Sequence, residues 1–193
     1  ITKADDSVVA TVPAAAPADA LRGLAADLDF LQPAASGRLA FAPVTRSASA
    51  APVVRGLAET LGPDAAAVDL DLAARPLGDG PGVADALAGR PVDFAGVAYA
   101  GGPAPNAGDL LAADAVPGLL DRIQGGRRWL LINAAPLLDS SAGALGARTA
   151  GAVVPVVDLG ATTRSQVRQA LAVAEAAGVR VPGVVLVQAA AKK

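Results

Sequence analysis

The strongest constraint on this chain is a set of short apolar runs separated by helical patterns. RLAFAPV (38–44), AAAVDLDL (65–72), RWLLINAAP (128–136), AGAVVPVVDLG (150–160) and VPGVVLVQ (181–188) are each bounded by turn residues and rich in Val, Leu and Ala. A continuous apolar run of this length suits a strand buried on both faces. FAGVAYAGG (94–102) reads as a further strand entering a Gly/Pro loop. The segments between carry helix signals. APVVRGLAETLG (51–62) has Pro52 in its first turn and Gly62 just past its end. GVADALAG (82–89) reads as a short helix, residues 107–126 as one or two helices, and residues 162–178 as a helix with Val167, Leu171 and Ala174 on one face. Upstream, Leu21, Leu24, Leu28 and Leu31 are spaced three, four and three, which predicts an amphipathic helix closed by Pro33. This alternation predicts an α/β fold: a doubly wound, mainly parallel sheet with helices on both faces. Residues 1–17 read as a flexible segment or linker and residues 18–193 as one domain without internal repeats.

Composition narrows the chemistry. The chain has 193 residues, no Cys and no His. That excludes disulfides, thiol catalysis, zinc sites built from Cys or His, and histidine as a general base. Aromatic residues make up 3% of the chain, so the core must come from Val/Leu strands and closely packed alanine-rich helices. A formal net charge of −2 gives no general attraction for nucleic acid, and no nucleic-acid partner is expected. No apolar run reaches the length of a membrane span. The chain opens on Ile rather than Met, which reads as a processed or partial chain, soluble as it stands.

Three segments in order carry a family resemblance. GVADALAG resembles a Gly-Leu-Ser-Asp-Val-Leu-Ala-Gly stretch. AGGPAPNAGDLLAADAVPGLLDRI, with Pro105, Asn106, Leu110 and Leu111, resembles a Gly-x-x-Pro-Pro-Asn-Pro-x-Glu-Leu-Leu segment. VVDLGATTRSQVRQALAVAEAAGVRVPGVVLVQ resembles a closing strand, Gly-x-Thr, helix and strand. Together they resemble the cytoplasmic domain of bacterial tyrosine kinases, P-loop proteins whose fold is shared with the wider MinD/ParA-like ATPases. These work with membrane polysaccharide co-polymerases in capsule and exopolysaccharide assembly. Matching segments run from about residue 18 to residue 187. The resemblance implies a P-loop three-layer fold and a cytoplasmic location, peripheral at or fused to an inner-membrane protein.

The same alignment shows where the chain departs from the family. Its phosphate loop, Gly-Glu-Gly-Lys-Ser-Thr, falls on Ser47–Pro52. Ser47 and Ser49 replace the glycines, Ala50 the lysine, Ala51 the metal-binding serine and Pro52 the threonine. A P-loop needs backbone N–H groups on the phosphates, a Lys on the β/γ oxygens and a hydroxyl on Mg²⁺. Pro52 removes an N–H as well. Arg46 and Arg55 are the nearby cations weighed as substitutes, against a reading as solvated surface arginines. VDLDLAARP resembles Val-Asp-x-Asp-Leu-Arg-Arg-Pro, which keeps Asp69 and Asp71 as residual acidic groups. At i and i+2 on a strand end they are expected to point the same way. The family's buried Ile-Ile-Asp-Thr-Pro-Pro falls on Leu131–Pro136, with Asn133 at the Asp, Ala134 at the Thr and Ala135 at the first Pro, so the Walker B carboxylate is missing. The family's Glu-x-x-Arg-x-x-Arg assembly helix leaves Asp19 and Arg22 as interface candidates, with Ala25 at the second Arg. Its tyrosine tail has no counterpart, since the sole tyrosine is Tyr99.

These departures predict no catalytic residues, no metal site and no cofactor. The expected function is that of a pseudo-kinase: a structural or regulatory subunit in envelope polysaccharide synthesis and export. Its expected partner is a membrane polysaccharide co-polymerase or related envelope protein, with a homo- or hetero-oligomer as the assembly. The alternative is a non-hydrolysing nucleotide- or anion-binding domain, in which Thr45, Ser47 and Ser49 donate at the helix that follows. An acid–base hydrolase built on Asp69 and Asp71 has only generic support, because no nucleophile or oxyanion motif accompanies them.

Overall fold

A computed structural model describes residues 8–13, 18–28, 37–94 and 96–188. The strands are β1 (Val8–Pro13), β2 (Arg38–Pro43), β3 (Ala65–Asp69), β4 (Val97–Ala98), β5 (Trp129–Asn133), β6 (Val153–Asp158) and β7 (Gly183–Gln188). The helices are α1 (Ala18–Asp27), α2 (Ala51–Leu61), α3 (Val83–Leu87), α4 (Ala107–Ala112), α5 (Ala115–Gln124), α6 (Ser141–Ala150) and α7 (Arg164–Ala176). One parallel sheet holds all the described strands in the order β1-β7-β6-β2-β5-β3-β4. The chain therefore winds outward in both directions from its centre, as a doubly wound α/β sheet does.

Central strands are buried on both faces, which is why they read as unbroken apolar runs rather than as alternation. On one face, α1 and α2 cover Leu39, Phe41, Ala67, Leu131 and Val154. On the other, Ala40, Val68, Leu130, Ile132 and Val153 join Val116, Leu120, Ile123, Ala147 and Ala170 from the helices. The small residues set the spacing. A Cβ at Gly56 of α2 would collide with Leu21 of α1, so the glycine lets the two helices meet closely. No helix among the described residues is long and apolar enough to cross a membrane.

Three segments differ from the sequence reading. Within residues 1–17, read as a flexible segment, Val8–Pro13 form an edge strand in register with β7, from Val8 opposite Gly183 to Pro13 opposite Gln188. The β-branched run VVATV fits a strand, and Pro13 is tolerated because an edge strand has a free side. The second apolar run, read through residue 72, ends as a strand at Asp69. The run read over 94–102 contracts to the two residues of β4, with Tyr99 adding an isolated bridge to Gly82. Helix α1 ends at Asp27, and Leu31 and Pro33 lie outside the described residues.

Candidate functional site

The carboxyl ends of β2, β3 and β5 meet at one edge of the sheet, and a cleft of about 400 Å³ opens there. Its walls come from the β2–α2 loop (Arg46, Ala48, Ser49, Ala50), the chain after β3 (Asp71–Ala74 and Pro76), and the chain after β5 (Asn133–Pro136). Ser140 and Ala142 at the start of α6 close one side. Open α/β sheets bind ligands at this edge, where neighbouring strands send their chains to opposite faces. Gly143 matters to the shape, because a Cβ there would stand 2.6 Å from the Pro136 carbonyl oxygen and 2.7 Å from that of Ala135. Helix α6 therefore rests directly on the β5–α6 loop.

The β2–α2 loop enters α2 without a side-chain cap on its N-cap residue, Ala50. Ala50 and Ala51 are buried, whereas Ser49 and Pro52 are exposed. Ala51 N–H donates to the Ser49 hydroxyl at 3.3 Å, and Ala48 N–H to the Thr45 carbonyl at 3.3 Å. Thr45 and Ser47 share a hydroxyl–hydroxyl bond of 2.8 Å. Arg46 N–H donates to Asp139 Oδ2 at 2.7 Å, so a carboxylate of the chain itself already sits on this loop. Asp139 carried no signal in the sequence reading, since nothing in LLDSSAG marks it as reaching a loop 93 residues earlier. Of the two arginines weighed as cationic substitutes, only Arg46 lines the cleft. Arg55 donates to the Leu77 carbonyl and lines a separate cavity beside Tyr99.

Asp69 and Asp71 do not act as the aligned pair expected from their spacing. With β3 ending at Asp69, the chain turns, and Asp71 N–H donates back to Asp69 Oδ1 at 3.1 Å. Asp69 is fully buried and also accepts from Leu77 N–H at 3.0 Å and Asn133 Nδ2 at 2.8 Å. Burial pushes its carboxyl up to about 6, and the Leu77, Asn133 and Asp71 donors hold it from rising further. Asp71 lines the cleft, is 7% exposed, and accepts Ala74 N–H at 3.1 Å. Asn133 stands in the back wall with Nδ2 on Asp69, while its Oδ1 is buried without a partner.

The remaining candidates lie elsewhere. Asp19 and Arg22 pair with each other on the exposed side of α1, while Leu21 and Leu24 face the core. The sequence reading did not single out Asp85, although it organises the neighbouring corner. It accepts N–H groups of Gly82 and Gly102, each at 3.0 Å, and Arg90 Nη1 at 2.7 Å. The Gly82 donor leads the effects that lower its carboxyl below the ordinary carboxylate range. Gly101, at φ +93°, passes so close that a Cβ would lie 2.6 Å from Asp85 Oδ2.

Among solved structures, the kinase domain of Escherichia coli tyrosine kinase ETK superposes with a TM-score of 0.82 at 22% identity, covering 92% of this chain and 78% of that one. The chain has the fold of a bacterial tyrosine kinase domain. The VpsO kinase domain gives 0.77 at 20% identity over 89% of this chain and 93% of that one. The BceF tyrosine kinase domain gives 0.70 at 19%, covering 89% and 77%. No family model matches the chain, and no curated protein does. The chain thus shares a fold with these domains at 19–22% identity, with the cleft at the sheet edge where doubly wound α/β folds bind ligands.

Proposed function

We propose that this chain is a catalytically inactive relative of the bacterial tyrosine kinases, serving as a structural or regulatory subunit in envelope polysaccharide synthesis and export. The observation that carries the reading is the chemistry around the cleft. Ala50 and Ala51 occupy the positions of the lysine and the metal-binding hydroxyl, and Pro52 has no N–H to offer. Asn133 replaces the carboxylate at the back and spends its amide nitrogen on Asp69. A neutral amide attracts Mg²⁺ less than a carboxylate and does not balance charge in phosphoryl transfer. The residues present do not fit a magnesium–nucleotide complex. The expected partner is a membrane polysaccharide co-polymerase or related envelope protein, bound at the cytoplasmic side of the inner membrane. The exposed Asp19–Arg22 face of α1 is the candidate contact.

One observation favours a second reading, binding of a phosphate-type anion without hydrolysis. Among the described residues the N–H groups of Ser47, Ser49 and Ala50 make no hydrogen bond to protein, and they stand at the N-terminus of α2. Isothermal titration with ATP and ADP in the presence of Mg²⁺, with an active tyrosine kinase domain as control, separates the two. No heat at millimolar nucleotide is expected. Micromolar binding would favour the second reading over the first.

A further inference from the structure

The depth of the cleft lacks donors. Asn133 is 1% exposed, and its Oδ1 is a buried side-chain atom with no partner among the described residues. The orientation of this amide follows from its neighbour, because turning it over would set Oδ1 against the Asp69 carboxylate that now accepts from Nδ2 at 2.8 Å. In the wall formed by the chain after β3, the Asp71 carboxylate takes one backbone N–H and enters no ion pair among the described residues. The cleft's basic residue, Arg46 of the β2–α2 loop, is exposed at the rim, where solvent screens it. A buried acceptor and a nearly buried carboxylate without counter-charge are costly, and a donor brought by a ligand relieves both. The other surfaces are small and apolar: Ala73, Ala134, Ala135 and Ala142 leave room for a carbon stem. A divalent metal is less well served, since both oxygens of Asp69 are already engaged by N–H donors.

We infer that the cleft binds an organic cation, with a guanidinium or primary ammonium group donating to the Asp71 carboxylate and to Asn133 Oδ1. The inference rests on the inactive reading above, in which no magnesium nucleotide competes for this space. The cation is either a free small amine or an arginine side chain presented by a partner, and the recognising chemistry is the same. It also turns the cleft's preference around: the rim still offers N–H groups to an anion, but the depth is an acceptor site.

The test is a ¹H–¹⁵N titration of the full chain, followed at the Asn133 side-chain amide, with two probes. Agmatine stands for a free cation, and the blocked tripeptide acetyl-Gly-Arg-Gly-amide stands for a side chain on a partner. Saturable movement of the Asn133 amide with either probe is the expected result, and whichever binds identifies the source. Asp71→Asn, which keeps an acceptor for Ala74 N–H, should weaken binding by about tenfold through loss of the charge-assisted hydrogen bond. Arg46→Ala, on the exposed rim, should tighten it. The inference falls if neither probe moves the amide at millimolar concentration, if Asp71→Asn binds as tightly as the parent, or if Arg46→Ala weakens binding, as it would for an anion. Absence of cation binding with no response to magnesium ATP removes this inference alone. A response to magnesium ATP at Asn133 removes the premise that no nucleotide occupies the cleft, and with it the first reading above.

Discussion

Two corners at the same edge of the sheet are built in opposite ways. At the β6–α7 corner, Thr163 caps α7 by accepting Gln166 N–H at 3.2 Å, and Gln166 Oε1 returns the contact to Thr163 N–H at 2.8 Å. Asp158 tightens the preceding turn through Gly160 N–H at 2.8 Å, and the Thr162 hydroxyl closes it on Asp158 N–H at 3.1 Å. The β2–α2 corner has the same strand–loop–helix plan, yet its N-cap is alanine and its loop leans on a carboxylate from another element. The first corner satisfies its own backbone and lines no described cavity wall at the cleft. The second leaves backbone donors at the rim of a cleft whose back, at the end of β5, holds an unpaired acceptor. Local self-sufficiency marks a corner that serves stability, and its absence marks the one that faces a ligand space.

The largest expected effect concerns the back of the cleft. Asp69 has a folded-state value of about 6 against 3.8 for the free group, so the folded protein binds more protons between those values. Stability should therefore rise as pH falls from about 6 to about 4, by about 3 kcal/mol from this group, and fall as pH rises through the same window. Urea melts of the parent and Asp69→Asn across that range test this. The difference between them should carry the slope, and parallel curves would refute it. Next comes the well-capped corner. Thr163→Ala removes the side-chain half of a capping box, the Thr163 N–H to Gln166 Oε1 bond remaining, and should cost about 1 kcal/mol in the same melts. Smallest is the open corner. Ser49→Ala loses one 3.3 Å bond to Ala51 N–H at an exposed position and should change stability by less than about 0.5 kcal/mol. Equal costs at Thr163 and Ser49 would erase the contrast between the corners.

Much of the architecture was legible in the residues. Pro52 and Gly62 marked the ends of α2, and the Leu21/Leu24 spacing marked the buried side of α1. The unbroken runs at 38–44 and 128–136 marked strands covered on both faces. Less legible was β1, because an edge strand near a terminus depends on a partner far along the chain, here β7. At the site, the sequence showed neutral residues at Ala50, Ala51, Pro52 and Asn133, whose chemistry can be judged without coordinates. How the remaining groups pair was not. Spacing alone put Asp69 and Asp71 on one side of a strand, but the strand stops between them and Asp69 turns to its own backbone. Nor does any local pattern link Arg46 to Asp139 or Asn133 to Asp69.

By itself, then, the sequence determined the order of the elements after the first strand, their buried faces and the neutral residue types at Ala50, Ala51, Pro52 and Asn133, because each follows from residue type and short-range periodicity. Only the tertiary structure decided which carboxylate is buried, which amide oxygen is left without a donor, and that a cleft opens beside that amide. Those properties depend on distant segments meeting at one sheet edge, where burial and pairing are set by neighbours that sequence spacing does not reveal.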